Sequence, residues 1–187
     1  RLTDVTGVQT CALPILEKIS RAEFIPQRSL AGLAKEQLGT VGSGNHFVDL
    51  FEDDDGLLWI GVHFGSRGFG HRTTMGFIAL SRGYSFEERV REGSMDSPPI
   101  LFDLGSQLAA SYIEAMNLAG EYAYAGRELV VKKVLEILDN PGISFEVHNN
   151  HNFAWKEEHF GEQYWVVRKG CTPAFPEIGR ASCRERV

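Results

Sequence analysis

Two glycine-rich stretches, Gly42-Ser43-Gly44-Asn45-His46-Phe47 and His63-Phe64-Gly65-Ser66-Arg67-Gly68-Phe69-Gly70, constrain this chain more than anything else in it. Each sets a histidine at or beside a segment that reads as a β-strand. Glycine lets a backbone turn and be approached where other residues would clash, and neutral imidazole is the commonest metal-ligating side chain. A third stretch, His148-Asn149-Asn150-His151-Asn152, lies far along the chain. Taken singly, each reads better as a buried turn with satisfied polar side chains. Together they point to a metal and nucleotide site.

The length of 187 residues allows one domain, or a piece of a larger one, with a sizeable core. An apolar fraction of 43% and a charged fraction of 24% are ordinary for a globular protein. No apolar run reaches membrane-spanning length, no secretory leader is recognisable, and three cysteines make no disulfide framework. The expected setting is cytoplasmic, with no membrane partner. The net charge of −6 argues against non-specific nucleic-acid binding over the whole surface. It leaves room for a local basic site and suits a protein that concentrates divalent cations.

Both ends read as foreign. The stretches 5–15 and 177–187 resemble conceptual translations of sequencing-library adaptors, so 1–15 and 177–187 are expected to be adaptor-derived. The interior, 16–176, is then a fragment of a catalytic domain. The first stretch carries Arg1 and Asp4, the last three arginines and two glutamates, which leaves the interior at −7. Cys171 becomes its only cysteine.

Within the interior, 29–38 reads as a short helix capped by Ser29 and ended by Gly39, with Leu30, Leu33 and Ala34 on one face. Strands over 45–52 and 57–63, joined by Asp53-Asp54-Asp55-Gly56, predict a hairpin. No EF-hand ligand series follows the three aspartates, so they read as a solvated turn. A buried helix is expected over 73–82, fed by the second glycine-rich loop. Such a loop offers free N–H groups and a positive dipole to an anion. The segment 84–99 reads as a surface excursion and 105–138 as two helices or one kinked helix, ended by Asn140-Pro141-Gly142. Strands are expected over 143–148 and 162–168, with at most a helical turn over 154–159. The expected class is α+β, an antiparallel β-sheet core with helices around it.

None of the three stretches contains cysteine, which excludes a zinc ribbon. A mixed imidazole site, completed by oxygen or sulfur ligands from elsewhere, suits Mn²⁺, Fe²⁺ or Zn²⁺. The Arg67 guanidinium can hold phosphate bidentately, or can serve only as a surface ion pair.

In chain order, Gly39-Thr40-Val41-Gly42-Ser43-Gly44-Asn45-His46-Phe47, His63-Phe64-Gly65-Ser66-Arg67-Gly68, His151-Asn152-Phe153-Ala154 and Arg168-Lys169-Gly170 resemble the motifs of the RtcB family of RNA ligases. The resemblance covers essentially the whole interior. It implies an incomplete RtcB-like fold and a GTP-dependent enzyme active in tRNA splicing and RNA repair. Such an enzyme joins a 2′,3′-cyclic phosphate or 3′-phosphate RNA end to a 5′-hydroxyl end through a histidine–guanylate intermediate. It also implies GTP and a pair of Mn²⁺ ions as cofactors, RNA as partner, and an accessory activating protein. By motif, His46, His63 and His151 resemble metal ligands. Asn45, Phe47, Asp49 and Asn152 resemble nucleotide- and phosphate-contacting positions, and Arg67 resembles a residue holding RNA or triphosphate oxygens, with Lys169 a weaker candidate. His71, His148 and His159 receive no role.

The chain departs from the family pattern in several places. Asp49 stands where the family has glutamate, and Cys171 where it has alanine, a change that reads as a small buried thiol. The upstream Asp-x-x-Cys-Gly motif and the downstream histidine that becomes guanylylated have no counterpart in this sequence. Two other functions use the same residues: a metal-dependent phosphoesterase, and a non-catalytic nucleotide- or RNA-binding module.

Overall fold

The apolar periodicity beyond residue 105 resolves into one helix, and the elements of the N-terminal part gather on it. A computed structural model describes residues 9–171 except 92 and 95–97. The expected adaptor-derived residues 1–8 and 177–187 lie outside that set. In order the elements are α1 (Gln9–Ser20), a 3₁₀ helix (Ile25–Leu30), α2 (Ala31–Gln37), β1 (Phe47–Glu52), β2 (Leu58–His63), α3 (Arg67–Ser81), α4 (Gln107–Ile137), β3 (Asn152–His159) and β4 (Glu162–Lys169). The chain divides into two units, Arg1–Asn140 and Pro141–Val187. The class is α+β, and among the described residues both strand pairs, β1–β2 and β3–β4, are antiparallel.

In the first unit α4 runs unbroken for 31 residues, at about 1.5 Å per residue, past Gly126 where a kink was expected. The Ser106 hydroxyl caps its start by accepting from the Ala109 amide at 3.2 Å. Asp139 and Asn140 take left-handed backbone at φ 61° and 54°, which turns the chain out of the helix. Helices α1 and α3 pack against α4, and α2 packs against α1 and α3. Ile15, Ile19, Ala34, Phe69, Ala119 and Tyr122 form one buried cluster. The Tyr122 hydroxyl donates to the Ala34 carbonyl at 2.9 Å. Phe77, Phe86 and Ala115 form a second cluster, with the Phe24 ring tilted against Phe77 at a centroid distance of 4.8 Å. Helix α1 crosses the expected boundary at residue 15, and Ile15 belongs to the core.

Ser29 does not cap α2. Its hydroxyl turns back to the Pro26 carbonyl and closes the 3₁₀ helix. The hairpin β1–β2 forms as expected, pairing Phe47 with His63 and Glu52 with Leu58. Asp53 builds its turn: one carboxylate oxygen accepts from the Asp55 and Leu57 amides and the other from the Trp59 indole. Among the described residues no strand residue is fully buried, so the core of the first unit lies between its helices.

The second unit differs from the sequence reading. Residues 143–148 form no strand, and 154–159, read as at most a helical turn, belongs to strand β3, paired with β4 from Asn152–Lys169 to His159–Glu162. Phe160 and Gly161 make the two-residue turn with φ of 56° and 82°, the geometry that matches strand twist in a tight hairpin. Cys171 is exposed, not buried.

Candidate functional site

The two glycine-rich stretches meet at the open end of the β1–β2 hairpin. His46 enters β1 and His63 ends β2, and antiparallel pairing brings their ring centroids to 6.2 Å. Phe47, directly across from His63, stacks on its ring at 5.3 Å and 10°. The Asn45 side-chain amide reaches His63 Nε2 at 3.5 Å. Asp49, exposed and opposite Gly61, lies two residues from Phe47 and therefore on the same hairpin face. The four predicted positions Asn45, His46, Phe47 and His63 are thus brought together, with Asp49 next along the same face.

Arg67 joins them. Its Nη1 donates to His46 Nδ1 at 3.0 Å, and its Nε to the Thr40 hydroxyl at 3.4 Å. The residue has φ 54°, a conformation costing a non-glycine residue roughly 1–2 kcal/mol. Helix α3 begins at Arg67, six residues earlier than the sequence predicts, so much of the second glycine-rich stretch is helical. One N–H at that helix start is already occupied: the Gly68 amide donates to Gln37 Oε1 at 2.8 Å. The expected anion cradle of free amides is therefore partly filled by α2, and the guanidinium is the polar group that reaches His46.

Gly42 shows why the first stretch needs glycine. At φ 93°, a Cβ there would lie 2.0 Å from Arg67 Nη2, so the guanidinium rests directly on the bare backbone. Gly42→Ala is expected to displace Arg67 and to cost about 1–3 kcal/mol in stability. Thermal unfolding reads the cost, and Arg67-dependent activity should fall with it. An unchanged melting temperature would contradict this packing.

Two residues that sequence reading missed complete the support. Arg127, on α4, is 7% exposed and donates from Nη1 to the Phe64 carbonyl at 2.9 Å. Burial lowers its pKa from the ordinary guanidinium range. Gln37 is the other, through Gly68. Near Arg67, burial pushes the Tyr122 phenol up to about 12, and the guanidinium opposes part of that shift.

In the second unit His151 directly precedes β3, and its carbonyl accepts from the Cys171 amide at 3.1 Å. Asn152 accepts the Gly170 amide on its side-chain oxygen at 2.8 Å, which closes the base of the hairpin beside Lys169. Arg168 grips Glu157 with both terminal nitrogens and lies over the Trp155 ring at 5.3 Å. Hydrogen bonds from Arg168 and then His159 hold the Glu157 carboxyl at about 2, well below the usual range.

The donor chemistry of the first unit fits a borderline divalent cation in part. His46 and His63 are nitrogen donors of the type Mn²⁺, Fe²⁺ and Zn²⁺ accept. Among the described residues of that unit no third His, Cys, Asp or Glu joins them to make a three-ligand group. A guanidinium only donates, so His46 Nδ1 accepts from Arg67. A cation taken on that same nitrogen must exchange with the arginine.

A family model for "tRNA-splicing ligase RtcB" matches residues 18–185. The chain is 31% identical over 173 residues to a tRNA-splicing ligase RtcB of Pyrobaculum aerophilum, covering 76% of this chain and 35% of that protein. It is 31% identical over 149 residues to the RNA-splicing ligase RtcB of Escherichia coli K12, covering 74% and 36%. Against the tRNA-splicing ligase RtcB of Nanoarchaeum equitans it is 32% identical over 169 residues, covering 76% and 34%. The chain therefore spans about a third of the length of the curated relatives it matches. With the family model matched from residue 18 to 185, across both units and all the motifs described above, the chain belongs to the RtcB family.

Proposed function

We propose that this chain is part of the catalytic domain of an RNA ligase that joins 2′,3′-cyclic phosphate or 3′-phosphate ends to 5′-hydroxyl ends. The proposed reaction uses GTP and Mn²⁺ and passes through a histidine–guanylate intermediate on a residue outside this sequence. The observation that carries the reading is the contact of His46, His63 and Arg67 at one end of a hairpin, with ring centroids 6.2 Å apart and the guanidinium 3.0 Å from His46. Two imidazoles beside an arginine combine what nucleotidyl transfer needs: ligands for a cation and a planar donor for phosphoryl oxygens.

In this reading His46 and His63 hold Mn²⁺, and His151 is by motif a further proposed Mn²⁺ ligand. When bound, the metal neutralises charge gathering on phosphoryl oxygens. Phe47 keeps the His63 ring oriented by stacking on it. Asn45, Phe47, Asp49 and Asn152 are proposed to contact the nucleotide. Arg67 orients the phosphate through its forked N–H groups. RNA ends are the substrates, the setting is cytoplasmic, and an accessory activating protein is a further proposed partner. Among the described residues, no helix is long and apolar enough to cross a membrane.

Incubation of the full-length protein with the two RNA ends, GTP and Mn²⁺ tests the proposal. Joining that requires both cofactors is expected, together with acid-labile guanylate on the full-length polypeptide. The 187-residue chain alone should take up no guanylate, because it has no counterpart of the guanylylated histidine. Hydrolysis of the phosphate end without joining would favour the phosphoesterase instead.

A further inference from the structure

The guanidinium buried beneath the histidine loop is not accounted for by any role above. Burying that charge is unfavourable unless its N–H groups are satisfied. Arg127 is satisfied in part by the carbonyl of Phe64, the residue immediately after His63, across 63 positions of sequence. Its guanidinium also lies 4.9 Å from the Tyr124 ring centroid. Its neighbour on α4, Gly126, takes the other half of Phe64: a Cβ there would meet the Phe64 ring at 3.3 Å. The ring itself is 4% exposed. Adjacent α4 positions thus hold both the side chain and the carbonyl of one loop residue.

The next residue has no such hold. Gly65 has open space where a Cβ would be, and Arg67 follows two residues later at the start of α3. In sequence, the peptide plane gripped by Arg127 therefore lies between His63 and Arg67. We propose that Arg127 is a positioning residue: through the Phe64 carbonyl it sets the direction of the His63 ring and its spacing from Arg67. The proposal rests on the metal-and-phosphate reading of that pair.

The test measures Mn²⁺ affinity of the full-length protein by calorimetry, alongside thermal stability, for four variants. Arg127→Lys keeps the charge but loses the fork, and should weaken Mn²⁺ binding about tenfold, as loss of a residue that orients a ligand typically does. Gly126→Ala removes a glycine from a helix interior, so the melting temperature should not fall. The added methyl nevertheless pushes on Phe64, and Mn²⁺ affinity should fall severalfold. Tyr122→Phe, on the same helix but bonded to Ala34, should lower the melting temperature and leave Mn²⁺ affinity unchanged. His63→Ala should abolish high-affinity binding.

Wild-type Mn²⁺ affinity in both Arg127→Lys and Gly126→Ala, with His63→Ala impaired, would overturn the positioning role alone. Affinity that simply follows melting temperature across the set, Tyr122→Phe included, would also overturn it. Wild-type affinity in His63→Ala would overturn the metal reading and this inference together.

Discussion

Arg67→Ala in the full-length protein is expected to lower ligation efficiency roughly tenfold to a hundredfold, without weakening Mn²⁺ binding. The magnitude follows from losing a charge-assisted, bidentate contact with phosphate, about 1.5–3 kcal/mol. The direction on metal follows from geometry. The guanidinium donates to His46 Nδ1 at 3.0 Å, so removing it leaves that nitrogen no less available to a cation. Arg67→Lys should recover only part of the activity, because a point charge lacks the planar fork. Arg67→Gly separates function from stability: at φ 54° glycine is unstrained. It should be at least as stable as Arg67→Ala and equally impaired. Steady-state ligation against salt concentration is the readout. Wild-type rates for Arg67→Ala throughout would reduce the residue to a structural contact with Thr40 and His46.

The β1–β2 hairpin was legible because its information is local. Alternation marks the strands, and Asp53 carries the turn by accepting two backbone amides within four residues. Helix α4 was legible from apolar spacing, although Gly126 read as a break. The helix runs through it, and a Cβ there would come within 3.3 Å of the Phe64 ring. Strand β3 was misread for a converse reason. Ala154-Trp155-Lys156-Glu157-Glu158-His159 is rich in helix formers, while its strand state is fixed by pairing with β4 and by the forked Arg168–Glu157 contact across the hairpin. The turn that joins the two strands puts Phe160, an unusual residue for the purpose, at positive φ.

At the site, the pairing of His46 with His63 could be read from glycines and strand ends, since both lie on one hairpin. Arg67 could be flagged, but not its seat on Gly42, which depends on a contact across 25 positions of sequence. Arg127 gave no signal at all. A charged residue in a long amphipathic helix ordinarily reads as a solvated face, and only the three-dimensional path of the loop after His63 makes it a buried donor. Early helix formation at Arg67 was hidden by its glycines, which disfavour helix in isolation. The Gly68 amide bonded to Gln37 helps to offset that cost.

The central proposal is that His46, His63 and His151, 17 and 88 residues apart in sequence, are each Mn²⁺ ligands. Mn²⁺ titration of the full-length protein, monitored by calorimetry for the wild type and for His46→Ala, His63→Ala and His151→Ala, tests it most directly, with His148→Ala as the control. Each of the first three should lose high-affinity binding by about a hundredfold or more, since each removes a proposed ligand. Any two combined should lose little beyond the worse single variant, the non-additivity of groups that act as a unit. His148→Ala should bind as the wild type does. Undiminished Mn²⁺ affinity in any one of the three, with the protein folded, would contradict the account.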